Sequence, residues 1–155
     1  MSAGPPRLVL DTNVCLDLYV YGNPHCAALH ATLAAGRRWA LTNAACRDEW
    51  LRVLDYPQLA LDAARRAAAA AMFDAQLRMW AELAPPEAPA LPRCSEPDDQ
   101  KFLELAQACG AQHLLTRDKA LLKLGKRARR EHGFDILTPQ AYAALGASGA
   151  SAKPV

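Results

Sequence analysis

The sequence predicts an α/β domain in which a parallel sheet carries helices on both of its faces. Short apolar runs alternate along the chain with segments of helical periodicity, as in a parallel sheet joined by crossover helices. The first run, Arg7 to Leu10, reads as a buried strand. The 155 residues, of which 52% are hydrophobic and 22% charged, are enough for one domain with its own core. We expect a flexible N-terminus over residues 1–6, one domain over 7–145 and a disordered tail over 146–155.

Capping and helix-breaking residues place the elements of the first half. The predicted elements are a helix ending near Gly22, a helix from His25 to Ala35, a strand from Trp39 to Thr42, and a helix from Ala44 to Leu54 that Asn43 caps. The stretch from about Leu59 to Leu83 is rich in alanine, the strongest helix former, and predicts one long helix or two with a break near Asp62. The prolines between Pro85 and Pro92 predict an extended connector.

Similar signals place the elements of the second half. Ser95 and Asp98 have the spacing of a capping box, and Pro97 suits the first turn of the helix that follows. That helix is expected to end at Cys109, with Gly110 in the left-handed conformation. The remaining predicted elements are a strand from His113 to Thr116, a short helix that Asp118 caps and Gly125 ends, a strand from Phe134 to Leu137, and a last helix that Thr138 caps.

Composition excludes several functional classes. There is no glycine-rich phosphate loop, which argues against a nucleotide-binding protein. The five cysteines are widely spaced, without a Cys-x-x-Cys pair or a nearby histidine at zinc spacing, so we expect reduced core thiols. The formal net charge of +2 is too small to indicate a polyanion partner by itself. No apolar run approaches membrane-spanning length, and the expected location is the cytoplasm, without a membrane partner.

Four acids are predicted to meet at one edge of the sheet. Asp11 directly follows the first strand and Asp118 lies two residues after the third, at the strand ends where ligands bind in open α/β sheets. Glu49 lies beside the apolar stripe of the helix after the second strand, and Asp99 opens the helix before the third. Taken alone, Asp11 is equally well explained as a helix cap. The three further acids favour a site.

A cluster of carboxylates is stable in its ionised form when a cation lies within it, because like charges repel. Oxygen ligands without histidine or cysteine favour Mg²⁺ or Mn²⁺ over zinc. Such an ion is suited to metal-assisted hydrolysis of a phosphodiester. Thr12 and Asn13 are expected to support the site through hydrogen bonds, and Thr116 is assigned the same role. Asp98 is interpreted as a capping acid, Asp48 as solvated, and Asp17 and Asp55 as surface residues.

The segments Leu8–Asn13, Asp98–Ala106 and Leu114–Lys119, with Glu49 between the first two, resemble the PIN domain. They resemble in particular a bacterial branch described as toxins of toxin–antitoxin modules, over about residues 7–145. The resemblance implies a three-layer α/β/α sandwich with a central parallel sheet, and ribonuclease activity dependent on Mg²⁺ or Mn²⁺. It also implies frequent homodimers and inhibition by an antitoxin. The implied catalytic and metal-binding residues are Asp11, Glu49, Asp99 and Asp118.

One position departs from that branch, since Glu96 stands where an aspartate is frequent. The stretch from Arg117 to Arg130 holds seven cations and one acid and begins beside the acidic site. It predicts contacts with the phosphates of RNA, and the alternative is a solvated basic loop. The predicted RNA contacts are Arg117, Lys119, Lys123, Lys126, Arg127, Arg129 and Arg130.

Three other functions remain open at this point. A PIN-like chain could be a nuclease that processes RNA or structured DNA in ordinary metabolism. It could also be an inactive fold that binds RNA or a protein, although the four intact acids argue against this. A phosphatase that forms an aspartyl phosphate is disfavoured, because Asn13 stands where such enzymes use a second aspartate.

Overall fold

The central sheet of the computed structural model, which describes residues 4–152 and the side chains of residues 4–146, has five parallel strands in the order β3-β2-β1-β4-β5. β1 lies at the centre and pairs with β2 on one side and β4 on the other. The strands are β1 Arg7–Leu10, β2 Trp39–Thr42, β3 Leu77–Met79, β4 His113–Leu115 and β5 Asp135–Leu137. Because all strands are parallel, their carboxyl ends meet at one edge of the sheet.

Eight α-helices connect these strands within the described residues. They are α1 Thr12–Tyr19, α2 Ala27–Ala34, α3 Ala44–Leu54, α4 Ala63–Gln76, α5 Gln100–Cys109, α6 Lys119–Leu122, α7 Gly125–His132 and α8 Pro139–Ala152. Single 3₁₀ turns cover Pro24–Cys26, Pro57–Leu59 and Pro97–Asp99. Several predicted boundaries are confirmed: Asn43 and Asp62 each accept a backbone N–H bond as N-caps, and Gly110 ends α5 with a φ of +68°.

Hydrophobic clusters cover both faces of the sheet. On one face, Leu8 and Leu10 of β1 pack in a cluster with Trp50 and Phe73 from α3 and α4. On the other face, Val9 belongs to the cluster around α5. Successive residues of β1 therefore point to opposite layers and are buried in both. The predicted α/β/α sandwich with a central parallel sheet is confirmed.

The alanine-rich stretch differs from the prediction at its end. α4 stops at Gln76, and Leu77–Met79 forms the edge strand β3 beside β2. The local residues favour a helix, but pairing with β2 and burial of the Leu77 side chain override that preference. Arg78 in this strand stacks 3.8 Å above the ring of Trp39.

Two predicted helix boundaries are also wrong. Ser95 and Asp98 form no capping box. The chain enters α5 through the 3₁₀ turn Pro97–Asp99, and the N-cap residue of that turn is Glu96, whose side chain makes no capping bond. Gly125 does not end a helix but begins α7. The basic stretch is therefore largely helical and not a loop.

The ends of the chain were predicted to be flexible. α8 continues to Ala152, so residues 146–152 of the expected tail are helical. Pro6, in the expected flexible N-terminus, accepts a 3.0 Å hydrogen bond from the Trp39 N–H through its carbonyl. Residues 1–3 and 153–155 lie outside the described residues.

Candidate metal centre

Three of the four predicted acids meet at the carboxyl edge of the sheet. Asp11 follows β1, Asp118 lies shortly after β4, and Asp99 lies where the 3₁₀ turn enters α5. One carboxylate oxygen of each lies within 4.8 Å of the corresponding oxygens of the other two. We call these three residues the aspartate triad. Its members come from distant parts of the sequence and are brought together by the pairing of β1 with β4 and by the packing of α5.

Asp11 is held inside the protein by two side chains. It stands at the N-cap position of α1, yet its carboxylate makes no capping bond. Its Oδ2 accepts hydrogen bonds from Thr116 Oγ1 at 2.7 Å and from Asn13 Nδ2 at 3.4 Å. Burial raises the pKa of Asp11 to about 6, although hydrogen bonds from Thr116 and the Thr12 backbone lower it in part. The capping explanation of Asp11 therefore does not account for this side chain.

Asp99 and Asp118 share a hydrogen bond between their carboxyl groups. The pKa of Asp99 is raised to about 8, first by burial, then by this bond and by the charges of nearby acids. The same interaction lowers the pKa of Asp118, so Asp99 is the more readily protonated of the two. Asp118 also accepts the Ala120 N–H at 2.9 Å through Oδ1 and so caps α6. Its predicted capping role is confirmed.

The chemistry of the aspartate triad fits a hard divalent cation. Asp99 Oδ2 is buried and accepts no hydrogen bond from any donor within the described residues. An unpaired buried oxygen is costly, and a bound cation removes that cost. The triad offers oxygen ligands alone, as Mg²⁺ and Mn²⁺ prefer. The raised pKa values of Asp11 and Asp99 indicate the same need for positive charge.

Glu49 lies beside the aspartate triad in a separate arrangement. Its Oε1 is 2.5 Å from Lys101 Nζ, and its Oε2 accepts a hydrogen bond from Thr12 Oγ1. The Thr12 hydroxyl therefore binds Glu49, and only the backbone N–H of Thr12 contacts Asp11. The neighbouring Asp48 is exposed. The negative charge of Glu49 nevertheless acts on the aspartate triad, because its repulsion raises the pKa of Asp11 and of Asp99.

Sequence reasoning assigned no role to Lys101. Its ammonium group contacts Glu49 and also donates to the Asp98 carbonyl oxygen. The available signal was its place in the first turn of α5, two residues after Asp99.

The predicted RNA contacts are spread over both ends of the sheet. Lys119 begins α6 beside Asp118, at the carboxyl edge. Arg129 Nε lies 3.4 Å from Asp135, the first residue of β5 and hence at the amino edge. Arg127 and Arg130 both pair with Glu131. Within residues 4–146, no ion pair involves the remaining exposed lysines of this stretch, which are Lys119, Lys123 and Lys126.

Arg117 is tied into the fold by two bonds. Its Nε lies 2.8 Å from Asp17 Oδ2, and its backbone N–H donates to Asn13 Oδ1 at 3.1 Å. Asp17 was expected at the surface, but that prediction is wrong, because its side chain is only 6% exposed and faces Arg117. Asp55 is exposed, as predicted. Arg117 therefore joins α1 to the segment after β4.

A family model matches most of the chain. The family model of the PIN domain matches residues 7–120, a range that includes every member of the aspartate triad. None of the curated proteins compared with the chain matches it. Within the described residues, no helix has the length and apolar character needed to cross a membrane. Since the match spans well over half of the chain and agrees with the parallel sheet and its acidic edge, the chain belongs to the PIN domain family and has a nuclease fold.

Proposed function

We propose that this protein is an endoribonuclease that hydrolyses phosphodiester bonds of single-stranded RNA with the help of Mg²⁺ or Mn²⁺. The observation that carries the proposal is the aspartate triad, in which one carboxylate oxygen of each residue lies within 4.8 Å of the other two. The buried Asp99 Oδ2, which has no hydrogen-bond partner within the described residues, supports it. The nuclease fold supports a nucleic acid substrate. Asp11, Asp99 and Asp118 are the proposed ligands, with Glu49 close by.

A divalent ion bound there supplies positive charge for the phosphate and lowers the pKa of an attacking water. Neighbouring residues hold the carboxylates of the aspartate triad in fixed orientations. Thr116 and Asn13 orient Asp11, and the Ala120 N–H orients Asp118. Ligand positions that are fixed in advance need little reorganisation when the ion and substrate arrive. The exposed lysines of α6 and α7 are placed to bind the phosphates of the strand without reading its bases.

The same proposal includes a biological role as the toxin of a toxin–antitoxin module. The resemblance of three segments and Glu49 to the bacterial toxin branch supports this role. The proposed partners are an antitoxin protein that inhibits the enzyme and a second copy of the chain, and the proposed location is the cytoplasm. A nuclease of ordinary RNA or DNA processing would use the same triad, so the biological role needs its own test.

The chemical proposal is tested by cleavage of an end-labelled single-stranded RNA. Wild type and Asp99→Asn are each assayed with Mn²⁺, with Mg²⁺ and with EDTA. The matched control is Asp98→Asn, which removes the same charge from the adjacent exposed position. We expect cleavage by wild type and Asp98→Asn only with metal, and none by Asp99→Asn.

Equal cleavage by Asp99→Asn and wild type would overturn the proposed mechanism. Binding of RNA by all three proteins without cleavage would instead indicate an inactive fold that serves as a binding module. Parallel assays with single-stranded and structured DNA test whether RNA is the preferred substrate. Faster cleavage of DNA than of RNA would contradict that part of the proposal.

The toxin role is tested by induced expression in a bacterial host. Wild type is expected to arrest growth, and Asp99→Asn is expected not to do so. Co-expression of the product of a small adjacent gene should restore growth and yield a complex with the wild-type chain. Normal growth with abundant, active wild-type enzyme would contradict a toxin role and favour ordinary RNA processing.

A further inference from the structure

Glu49 and Lys101 form a pair of opposite charges at the border of the aspartate triad. The two charged atoms are 2.5 Å apart, and both side chains are largely buried, with 16% of Glu49 and 19% of Lys101 exposed. Lys101 is further fixed by the Asp98 carbonyl oxygen and by the ring of Phe102, 5.2 Å from its ammonium nitrogen. The burial and the additional contacts of Lys101 fix the geometry of this ion pair, unlike that of a pair between flexible side chains on the surface.

Both carboxylate oxygens of Glu49 are already engaged. Oε1 faces the Lys101 ammonium group, and Oε2 accepts the Thr12 hydroxyl. A divalent ion that used Glu49 as a ligand would have to displace the ammonium group or bind close to a like charge. The triad, in contrast, contains an oxygen without a donor in Asp99 Oδ2. Within the described residues, the acidic edge thus has one place where carboxylate oxygens have no protein cation beside them, at Asp99, and one where Lys101 supplies the positive charge, at Glu49.

We propose that Lys101 takes the place of a second metal ion, so that the triad holds one divalent ion and Glu49 is neutralised by the ammonium group. This inference rests on the proposed metal-dependent function. Lys101 is accordingly a positioning residue that holds Glu49 out of the coordination sphere. In two-metal nucleases a second ion balances part of the negative charge of the acidic site, and here a fixed lysine balances the charge of Glu49.

The inference is tested by counting bound ions. The full chain, stripped with EDTA, is titrated with Mn²⁺ in a calorimeter at constant ionic strength. Wild type and Lys101→Arg are expected to bind one ion per chain, because both keep the positive charge. Lys101→Met is expected to bind two, because Glu49 then lacks its counter-ion. The matched control Arg52→Met removes one exposed positive charge from the helix that carries Glu49, and one ion is expected.

Substitutions of Glu49 test the same inference independently if the Lys101→Met variant does not fold. Glu49→Gln keeps the shape of the side chain and should still bind one ion, with affinity lowered by no more than about 10–100-fold, as for groups outside the coordination sphere. Asp99→Asn should lower affinity by more than the roughly 100-fold upper bound for groups outside the coordination sphere, since it removes a ligand. The double variant Glu49→Gln/Lys101→Met should return to one ion.

Two bound ions in wild type would overturn the inference. So would identical ion counts and affinities in Lys101→Met and wild type, or loss of the single ion in Glu49→Gln, which would make Glu49 a ligand of that ion. RNA cleavage measured on the same preparations separates the two proposals. If the ion counts are as expected but no RNA is cleaved, only the proposed ribonuclease function is overturned. If wild type cleaves RNA with metal but binds two ions, only the role of Lys101 in place of a second ion is overturned.

Discussion

The hydroxyl of Thr116 donates a 2.7 Å hydrogen bond to Oδ2 of Asp11 and thereby joins the ends of β4 and β1. Oγ1 of Thr116 in turn accepts the backbone N–H of Asp118 at 2.9 Å. Thr116 is fully buried, so water does not compete for these bonds. One side chain therefore sets the relative position of two members of the aspartate triad.

Thr116→Val is expected to weaken both the fold and the metal site. The substitution keeps the volume but leaves the Asp11 carboxylate without its closest donor, which costs about 1–3 kcal/mol of unfolding free energy. Affinity for Mn²⁺ should fall by about 10–100-fold, as is typical when a group that orients a ligand is lost. Urea unfolding and calorimetric titration measure the two effects.

The matched control is Thr116→Ser, which keeps the hydroxyl and removes a methyl group. It should retain Mn²⁺ affinity close to that of wild type while losing some stability through packing. If Thr116→Val and Thr116→Ser bound Mn²⁺ equally, the hydrogen bond to Asp11 would have no part in metal binding.

The metal-free protein is expected to lose stability as pH rises from about 4 to about 8. In the fold the pKa of Asp11 is raised to about 6 and that of Asp99 to about 8, from an ordinary value of 3.8. Across this range the folded state binds more protons than the unfolded state, so unfolding becomes easier as pH increases. Asp11 alone corresponds to about 3 kcal/mol. Urea unfolding in EDTA at several pH values measures the slope.

Asp99→Asn should flatten the upper part of this slope, between about pH 6 and pH 8. Asp98→Asn should leave it unchanged, because Asp98 is exposed and outside the triad. Saturating Mg²⁺ should reverse the trend, since the ion replaces the protons. A slope that is the same in wild type and Asp99→Asn would show that Asp99 does not titrate in this range.

The parts of the fold that sequence predicts are those with local signals. The buried run of β1, the caps at Asn43 and Asp118, and the left-handed Gly110 each follow from a few adjacent residues. β3 was missed because its residues favour a helix and become a strand only beside β2. The carboxyl ends of β1 and β4 could be recognised in the sequence. Because these ends meet at one edge of a parallel sheet, the acids that follow them could be predicted to lie close together.

Contacts between distant segments were beyond sequence reasoning. The pairing of Glu49 with Lys101 depends on how α3 and α5 lie at the sheet edge, and no spacing within one chain segment encodes it. The burial of Asp17 likewise depends on Arg117, which is 100 residues away. For the same reason the basic stretch looked continuous, although helix α7 carries half of it to the opposite edge of the sheet.

Gln100 is expected to be important for the proline-rich connector that precedes the site. Its buried amide accepts the Cys94 N–H at 2.8 Å and donates to the Pro92 carbonyl at 3.0 Å. Gln100→Leu leaves two buried backbone groups unpaired and should cost about 2–3 kcal/mol in urea unfolding. Gln107→Leu removes one exposed bond from the same helix to Pro89 and should cost less than about 1 kcal/mol. Equal costs would show that Gln100 does not clamp the connector.

RNA affinity is expected to depend on the lysines near the carboxyl edge more than on the arginines near the end of α7. Arg127, Arg129 and Arg130 are paired with Glu131 or Asp135, and Arg129 lies at the far edge of the sheet. A triple alanine variant of Lys119, Lys123 and Lys126 should therefore weaken binding and reduce the slope of log K against log salt by about 2. Fluorescence anisotropy with single-stranded RNA measures this slope.

The triple alanine variant of Arg127, Arg129 and Arg130 is the control matched in charge. Both triples are made in the Asp99→Asn background and assayed in EDTA, so that the RNA stays intact during the measurement. The arginine triple should keep most of the salt dependence, because its side chains are engaged with acids and lie farther from the triad. If it weakened binding as much as the lysine triple, the strand would have to run along the whole of α7 toward the amino edge. Such a path would favour a substrate longer than the few nucleotides that the triad and α6 contact.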